Sequence, residues 1–355
     1  MNLEDRSHME AVDREKMLGH IDALADQFEQ AWQHAQSLPL PDSHRAPRQI
    51  VLAGMGGSAI GGDLTAALLA ATSPVPFTVV RGYTLPAYVQ GAETLVIASS
   101  HSGNTEETLA AAEQALQRGV RLLAITTGGA LAEHAQQHGY PLWSFAYDSQ
   151  PRAALGWSFG LLIGLAHRLN LAPTLEADLA EGIALLREKR AIYGADSPLA
   201  NNPAKRTAGQ LINRVPLIFG AGIFEPVARR WKGQFNENAK AWAEFEPLPE
   251  ANHNLVAGLG WPMDHDLMIS AHFITSRQHD HPRVRLRHEL TYHLCLQNGI
   301  MADTFQPEGA SALAQMLHAI QYGDYLTYYT AIAYDTDPTG IPQITELKTL
   351  LAERG

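Results

Sequence analysis

Ser99, Ser100, Ser102 and Thr105 place four hydroxyl groups around Gly103, just ahead of the helix-forming run Leu109 to Arg118. The apolar segment Thr94 to Ala98 before them reads as a buried strand, so the hydroxyls sit where a strand hands over to a helix. A helix N-terminus carries unpaired N–H groups and a glycine lets the backbone come close; with hydroxyls added, this is the chemistry that grips a phosphate monoester. Ordinary capping is the competing reading, with Asn104 or Thr105 as the cap and Glu107 closing a box on Asn104. Capping employs one or two of these residues and leaves Ser99, Ser100 and Ser102 without a task.

A second loop with chemical potential is Gly54-Met55-Gly56-Gly57-Ser58-Ala59-Ile60-Gly61-Gly62-Asp63. Gly54, Gly56 and Ala59 satisfy the dinucleotide-binding fingerprint, and Arg81, at the end of the next strand, would suit NADP. The preferred reading is a floor without side chains, Gly57 included, that lets a small sugar phosphate sit against the backbone, with Ser58 adding a hydroxyl. Further along, Arg152 stands at a helix start, where a cation is electrostatically misplaced; either it reaches solvent or something anionic needs it. Glu237 lies on a helix between Asn236 and Asn238, two poor helix formers, with Lys240 one turn away as an ion-pair candidate. That arrangement suggests a positioned carboxylate rather than a solvated one. Neither His253, one of 16 histidines, nor Lys348, on a short last helix, stands out by spacing. His288 and His293 imitate a metalloprotease helix but are five residues apart, on different faces, so no metal is expected.

The elements that must carry these residues alternate strand and helix. Met17, Ile21, Leu24, Phe28 and Trp32 recur at helical spacing and predict one amphipathic helix over Met9 to Gln36, followed by a proline-bearing linker. Strands are expected at 49–53, 77–80, 94–98, 121–125 and near 142–145, with helices at 64–71, 109–118 and 130–138 between them. This alternation means a parallel, doubly wound sheet, in which ligands bind at the carboxyl ends of strands and the two loops face one pocket. Helices follow at 151–169 and 175–193, and the polar stretch 194–205 connects to a second half.

There a strand at 215–219, the turn Gly220-Ala221-Gly222, a helix at 225–242, a strand at 267–270 and a helix at 285–298 repeat the first half in outline. The expected fold is therefore α/β, with residues 1–48 an N-terminal helix and linker, 49–200 a first domain and 201–355 a second, ending in helices at 318–333 and 344–354. Thr275 to His281 replaces the serine loop in the second copy, so one phosphate site per chain is expected.

Composition narrows the class. A length of 355 residues suits two domains, 46% hydrophobic and 18% charged residues are globular, and no apolar run is long enough for a bilayer. The polar, acid-bearing N-terminus argues against a leader, and the single cysteine, Cys295, with leucine neighbours, reads as plain burial in a reducing cytoplasm. Lys plus Arg total 26 against 37 for Asp plus Glu, a net charge of −11, which disfavours nucleic acid and leaves an anionic substrate to local N–H groups and a few placed cations.

G-M-G-G-S-A-I-G-G-D at 54–63, S-x-S-G-N-T-E-E-T at 100–108, P-R-A-A-L at 151–155, N-E-N-A-K at 236–240 and N-H-N at 252–254 occur in order. Together they resemble the bifunctional phosphoglucose/phosphomannose isomerases of archaea and bacteria, over roughly residues 50–350. The resemblance implies two sugar-isomerase (SIS) domains and interconversion of glucose 6-phosphate, and mannose 6-phosphate, with fructose 6-phosphate through a cis-enediol, without cofactor. It implies that Gly57, Ser58, Ser100, Ser102 and Thr105 hold the phosphate, Glu237 is the base, and Arg152 stabilises the enediolate. His253, supplied by the neighbouring subunit of a homodimer with shared sites, and Lys348 would assist ring opening. His101 stands where the family usually has tyrosine, and the family's C-terminal threonine linked to accepting mannose has Thr339 and Thr345 as candidates. The alternative is an SIS protein that binds or senses sugar phosphates without catalysis.

Overall fold

The computed structural model describes residues 2–262, 264 and 268–354. It begins with three short helices, α1 (Arg6–Val12), α2 (Met17–Asp22) and α3 (Leu24–Ser37), where the spacing predicted one. The break has a local cause: the Asp13 carboxylate accepts the N–H groups of Met17 and Leu18, and Lys16 takes a left-handed φ of 59°. Both act against continuous helix while leaving the apolar face in register.

The first sheet is built from β1 (Gln49–Gly54), β2 (Phe77–Val80), β3 (Thr94–Ser100), β4 (Arg121–Thr126) and β5 (Leu142–Ser144), all parallel in the order β2-β1-β3-β4-β5. Its crossover helices are α4 (Gly56–Leu69), α5 (Glu106–Gln117) and α6 (Gly129–His138). The glycine stretch is not an open loop, because α4 begins at Gly56 and Gly57 and Ser58 form its first turn. After a 3-10 turn at Pro151–Ala153, α7 (Leu155–Arg168) and α8 (Leu175–Tyr193) run as expected, and the connection contains an unforeseen helix, α9 (Pro203–Gln210).

The second sheet repeats the first with one strand fewer: β6 (Val215–Gly220), β7 (Glu244–Pro247), β8 (Ile269–Ile274) and β9 (Met301–Phe305), parallel in the order β7-β6-β8-β9. The strand expected at 267–270 starts at Ile269, and Leu267 lies outside the described residues. Its helices are α10 (Glu225–Glu237), five residues shorter than expected, and α11 (Pro282–Gln297). Then come α12 (Ala312–Ala333) and α13 (Pro342–Arg354).

Alternate residues of each sheet face different cores. Ile50, Leu52, Leu95 and Ile97 of the first sheet join α3, α7, α8 and α12 in one large apolar cluster, whereas Val51, Ala53, Val96 and Ala98 pack under Ala111, Ala112 and Ala115 of α5. The second sheet has a similar outer core around Phe219, Phe273, Cys295 and Ile300. α12 is buried from Leu313 to Ile332 and packs against α8, α9 and α10, so it joins the two halves. Among the described residues no helix is long and apolar enough to cross a membrane.

Candidate active site

The strand order places a switch point between β1 and β3, whose carboxyl ends carry Gly54 opposite Ser99. Beyond it the chain turns sharply. Gly103 has φ 70°, and a Cβ there would lie 1.8 Å from the Gly128 carbonyl oxygen, so no other residue fits. The buried Ser100 hydroxyl accepts the Gly103 N–H at 3.1 Å and bonds Thr105 Oγ1 at 2.9 Å, while Ser102 Oγ accepts the Asn104 N–H at 3.2 Å. Thr105 occupies the N-cap of α5 but makes no side-chain bond to that helix, and Asn104 Oδ1 instead accepts the Ala130 N–H at the start of α6. Neither residue caps α5, which removes the capping alternative and leaves the first N–H groups of α5 available to an anion.

The glycine helix adjoins this loop. Ser58 Oγ accepts the N–H of His101 at 3.2 Å, and Gly57 lies so close to the next element that a Cβ would meet the Pro151 carbonyl at 2.9 Å and the Arg152 nitrogen at 3.2 Å. The 3-10 turn thus rests on the helix that adjoins the serine loop. Arg152 does not reach solvent. It is 3% exposed and crosses to the second half, where Nε donates to Asn238 Oδ1 and Nη2 to the carbonyls of Pro338 and Thr339, each at 2.7 Å. Its Nη1 donates to Glu237 Oε2 at 3.4 Å. Burial lowers the Arg152 pKa from its usual value, partly offset by Glu237.

Glu237 is the last residue of α10, a place where the helix dipole disfavours a carboxylate. The helix stops there because Asn236 Nδ2 turns back to the Ala241 carbonyl and Lys240 adopts φ 51°. The two asparagines therefore do not hold the carboxylate: Asn236 ends the helix, and Asn238 anchors Arg152 and donates to Thr327 Oγ1 at 3.1 Å. Lys240 is likewise not the ion partner of Glu237. It donates to the carbonyls of Asn238 and Asp337, and burial, with Arg152 nearby, pulls it down to about 8. The partner of Glu237 is Arg152, 85 residues away in sequence.

Gly56, Gly57, Arg81, Arg152, Arg229 and Glu237 line a cleft of about 210 Å³ between the two halves. The arginines answer the unfavourable overall charge locally. Arg81 itself is engaged by Asp63 at 2.6 Å, which weakens its use for the extra phosphate of NADP.

Sequence reasoning missed Arg230, Gln234 and Asp324. Arg230 pairs with Asp324 through both carboxylate oxygens at 2.8 Å, Gln234 donates to the same carboxylate at 2.8 Å, and Arg230 also donates to the Arg152 carbonyl at 3.1 Å. Their signal was present: Arg230, Gln234 and Glu237 fall on one helical face. In contrast, His253 and Lys348 are exposed, and among the described residues their side chains make no hydrogen bond or ion pair. A single protomer does not bring them to Glu237 through any bond. Thr339 is buried beside Arg152 with its hydroxyl unpartnered, whereas Thr345 is exposed and bonds the Ile341 carbonyl.

Two parallel sheets of matching order, with a hydroxyl loop on one and a carboxylate–arginine pair between them, define a tandem SIS-domain protein. Residues 45–140 match the SIS domain family and residues 200–351 match the bacterial phospho-glucose isomerase C-terminal SIS domain. A Thermus thermophilus hypothetical protein of known structure superposes with TM-score 0.75 at 17% identity, over 98% of this chain and 94% of that one, which shows the fold. The chain belongs to the bifunctional phosphoglucose/phosphomannose isomerase family: it is 38% identical to the Caldicellulosiruptor bescii member over 93% of this chain and 97% of that protein. It is also 32% identical to the D-glucosamine-6-phosphate 4-epimerase of Sulfolobus acidocaldarius over 64% of this chain and 69% of that one. It is thus an enzyme of the SIS isomerase superfamily.

Proposed function

We propose that this chain interconverts glucose 6-phosphate, and mannose 6-phosphate, with fructose 6-phosphate through a cis-enediol, without a metal. The observation that carries the reading is the Arg152–Glu237 pair, which sets a carboxylate and a buried guanidinium beside the helix that adjoins the serine loop. Phosphate held by Ser58, Ser100, Ser102, Thr105 and the N–H groups of α5 would supply binding energy remote from the reacting carbons. Glu237 would take the proton from C1 of fructose 6-phosphate and return it to C2. Arg152, whose Nη1 has a second hydrogen beyond the one on Glu237, would donate to the enediolate oxygen. His253 and Lys348 would act in ring opening, the histidine from the neighbouring subunit, in keeping with the exposure of both on a single protomer.

Incubating fructose 6-phosphate with the enzyme in D₂O and EDTA should yield aldose carrying deuterium at C2, read by NMR. Aldose without deuterium at C2 would point away from proton transfer through solvent-exchangeable Glu237. A product epimerised at C4, or binding without turnover, would assign the site to a different reaction or to sensing. Mixing Glu237→Gln with His253→Ala subunits should restore part of the activity if sites are shared, and no recovery after verified subunit exchange would overturn that sharing.

A further inference from the structure

Glu113 on α5, and His134 and His138 on α6, stand outside the cleft and have no part in the isomerase reading. His134 and His138 are four apart on one helix face, and one donor atom from each of the three residues lies within 4.8 Å of the others. His134 Nε2 is 3.3 Å from Glu113 Oε2, and the two imidazole centroids are 4.5 Å apart. We propose that these three side chains bind a divalent first-row transition ion of the zinc, cobalt or nickel kind, with the fourth position left to water.

The donor set is chemically apt, since two imidazoles and a carboxylate are a common three-ligand set for such ions. The orientation is also prepared. His134 Nδ1 lies 2.8 Å from Tyr140 Oη, so with the proton on Nδ1 the tyrosine accepts it and Nε2 keeps its lone pair toward Glu113. A hydrogen-bond partner on the far nitrogen is the usual means of fixing a ligating histidine. Gln117 Nε2 donates to Glu113 Oε1 at 2.9 Å, leaving Oε2 as the oxygen that faces His134. Donors around a tetrahedral ion at about 2.0–2.2 Å sit roughly 3.4 Å apart. His134 and Glu113 are already at that spacing, and only the exposed His138 must rotate inward.

The ion would join α5 to α6. Those are the helices whose N-termini flank the serine loop, one starting at Glu106 and the other donating its Ala130 N–H to Asn104 Oδ1. Metal binding should therefore stabilise the fold around that loop by mass action.

The test is a Co²⁺ titration of the full chain, with any affinity tag removed, followed by visible d–d absorption and, with Zn²⁺, by calorimetry. One equivalent should bind, and saturating Co²⁺ should raise Tm. The double variant His134→Ala/His138→Ala should lose that equivalent and the Tm shift while keeping its far-UV spectrum and its metal-free kcat. Tyr140→Phe should weaken binding by about tenfold. Binding unchanged in the double variant, or neither absorption nor heat at millimolar ion, would overturn the proposal.

Discussion

After β3 the chain turns through Ser100, Ser102 and Gly103 into α5; after β8, at the corresponding place in the second sheet, it turns through Thr275, Ser276 and Arg277 into α11. In the first turn the helix start is left without a side-chain cap. In the second, the Asp280 carboxylate accepts the Ser276 N–H at 2.7 Å, Ser276 Oγ accepts the N–H groups of Gln278 and His279 at 3.1 and 3.0 Å, and His281 Nδ1 accepts the Arg283 N–H at 3.1 Å. The second loop thus meets its own donors with its own side chains, including a carboxylate where an anion would otherwise go. The outer faces of the two helices differ as well. α5 presents Glu106, Glu113 and Gln117 outward, while α11 exposes Leu286, Leu290 and Leu294 at intervals of one turn, with Leu290 53% exposed. The same strand-to-helix turn can therefore leave its helix N–H groups unpaired or close on itself with its own side chains.

The largest effect should come from the chemistry that the second half contributes. Glu237→Gln should leave KM within a few-fold and lower kcat by about 10²–10⁴, the range for removing a general base, measured by a coupled assay. Near-native turnover would move the base elsewhere.

Acid should act on the second half and on the helical layer that joins it to the first. His318 is held neutral, with Nδ1 accepting the Glu308 N–H at 2.8 Å and Nε2 donating to Tyr193 Oη at 2.7 Å, and burial lowers it to about 4. Burial also lowers His288 to about 4 and raises Asp280, 3.9 Å away, to about 6, so the two titrations act on stability in opposite senses as pH falls. Above about pH 6.5 His318 is neutral folded or unfolded; below it the unfolded chain takes the proton first, so stability falls from there to about pH 4, by up to roughly 3 kcal/mol. Denaturant unfolding against pH should show that loss, and His318→Gln should flatten it.

The loops themselves can be set against each other. Ser100→Ala and Ser102→Ala should each raise KM by about tenfold to a hundredfold, from about 1.5–3 kcal/mol per hydrogen bond to a charged group. Ser276→Ala should leave KM alone and reduce stability by about 0.5–1.5 kcal/mol, because it removes the shared acceptor of two part-buried N–H groups. A KM effect from Ser276 would mean that both loops meet substrate. The smallest effect concerns the helix faces: if a second copy covers the leucine stripe, Leu290→Ser should weaken self-association by about tenfold in sedimentation velocity, from roughly 1–2 kcal/mol of lost burial. An equal effect from Gln117→Ser on α5 would break the distinction.

How much of this was legible beforehand depended on the range of the interaction. The alternation of strand and helix, the repeat of one unit, the place of the hydroxyl loop and the misplaced charge at Arg152 follow from the sequence, because propensity, glycine positions and helix polarity act within a turn or two. What only the tertiary structure decided is which partners meet across the halves. Arg152 lies 85 residues from Glu237 and 187 from Thr339, and Arg230 lies 94 from Asp324. No local pattern marks such pairs, since they form only when α12 brings the two sheets together and removes water from the guanidinium groups. The same holds for Asn236 and Asn238, which flank the carboxylate in sequence while one ends the helix and the other holds the arginine. Sequence spacing specifies the face a side chain takes; packing specifies what it finds there.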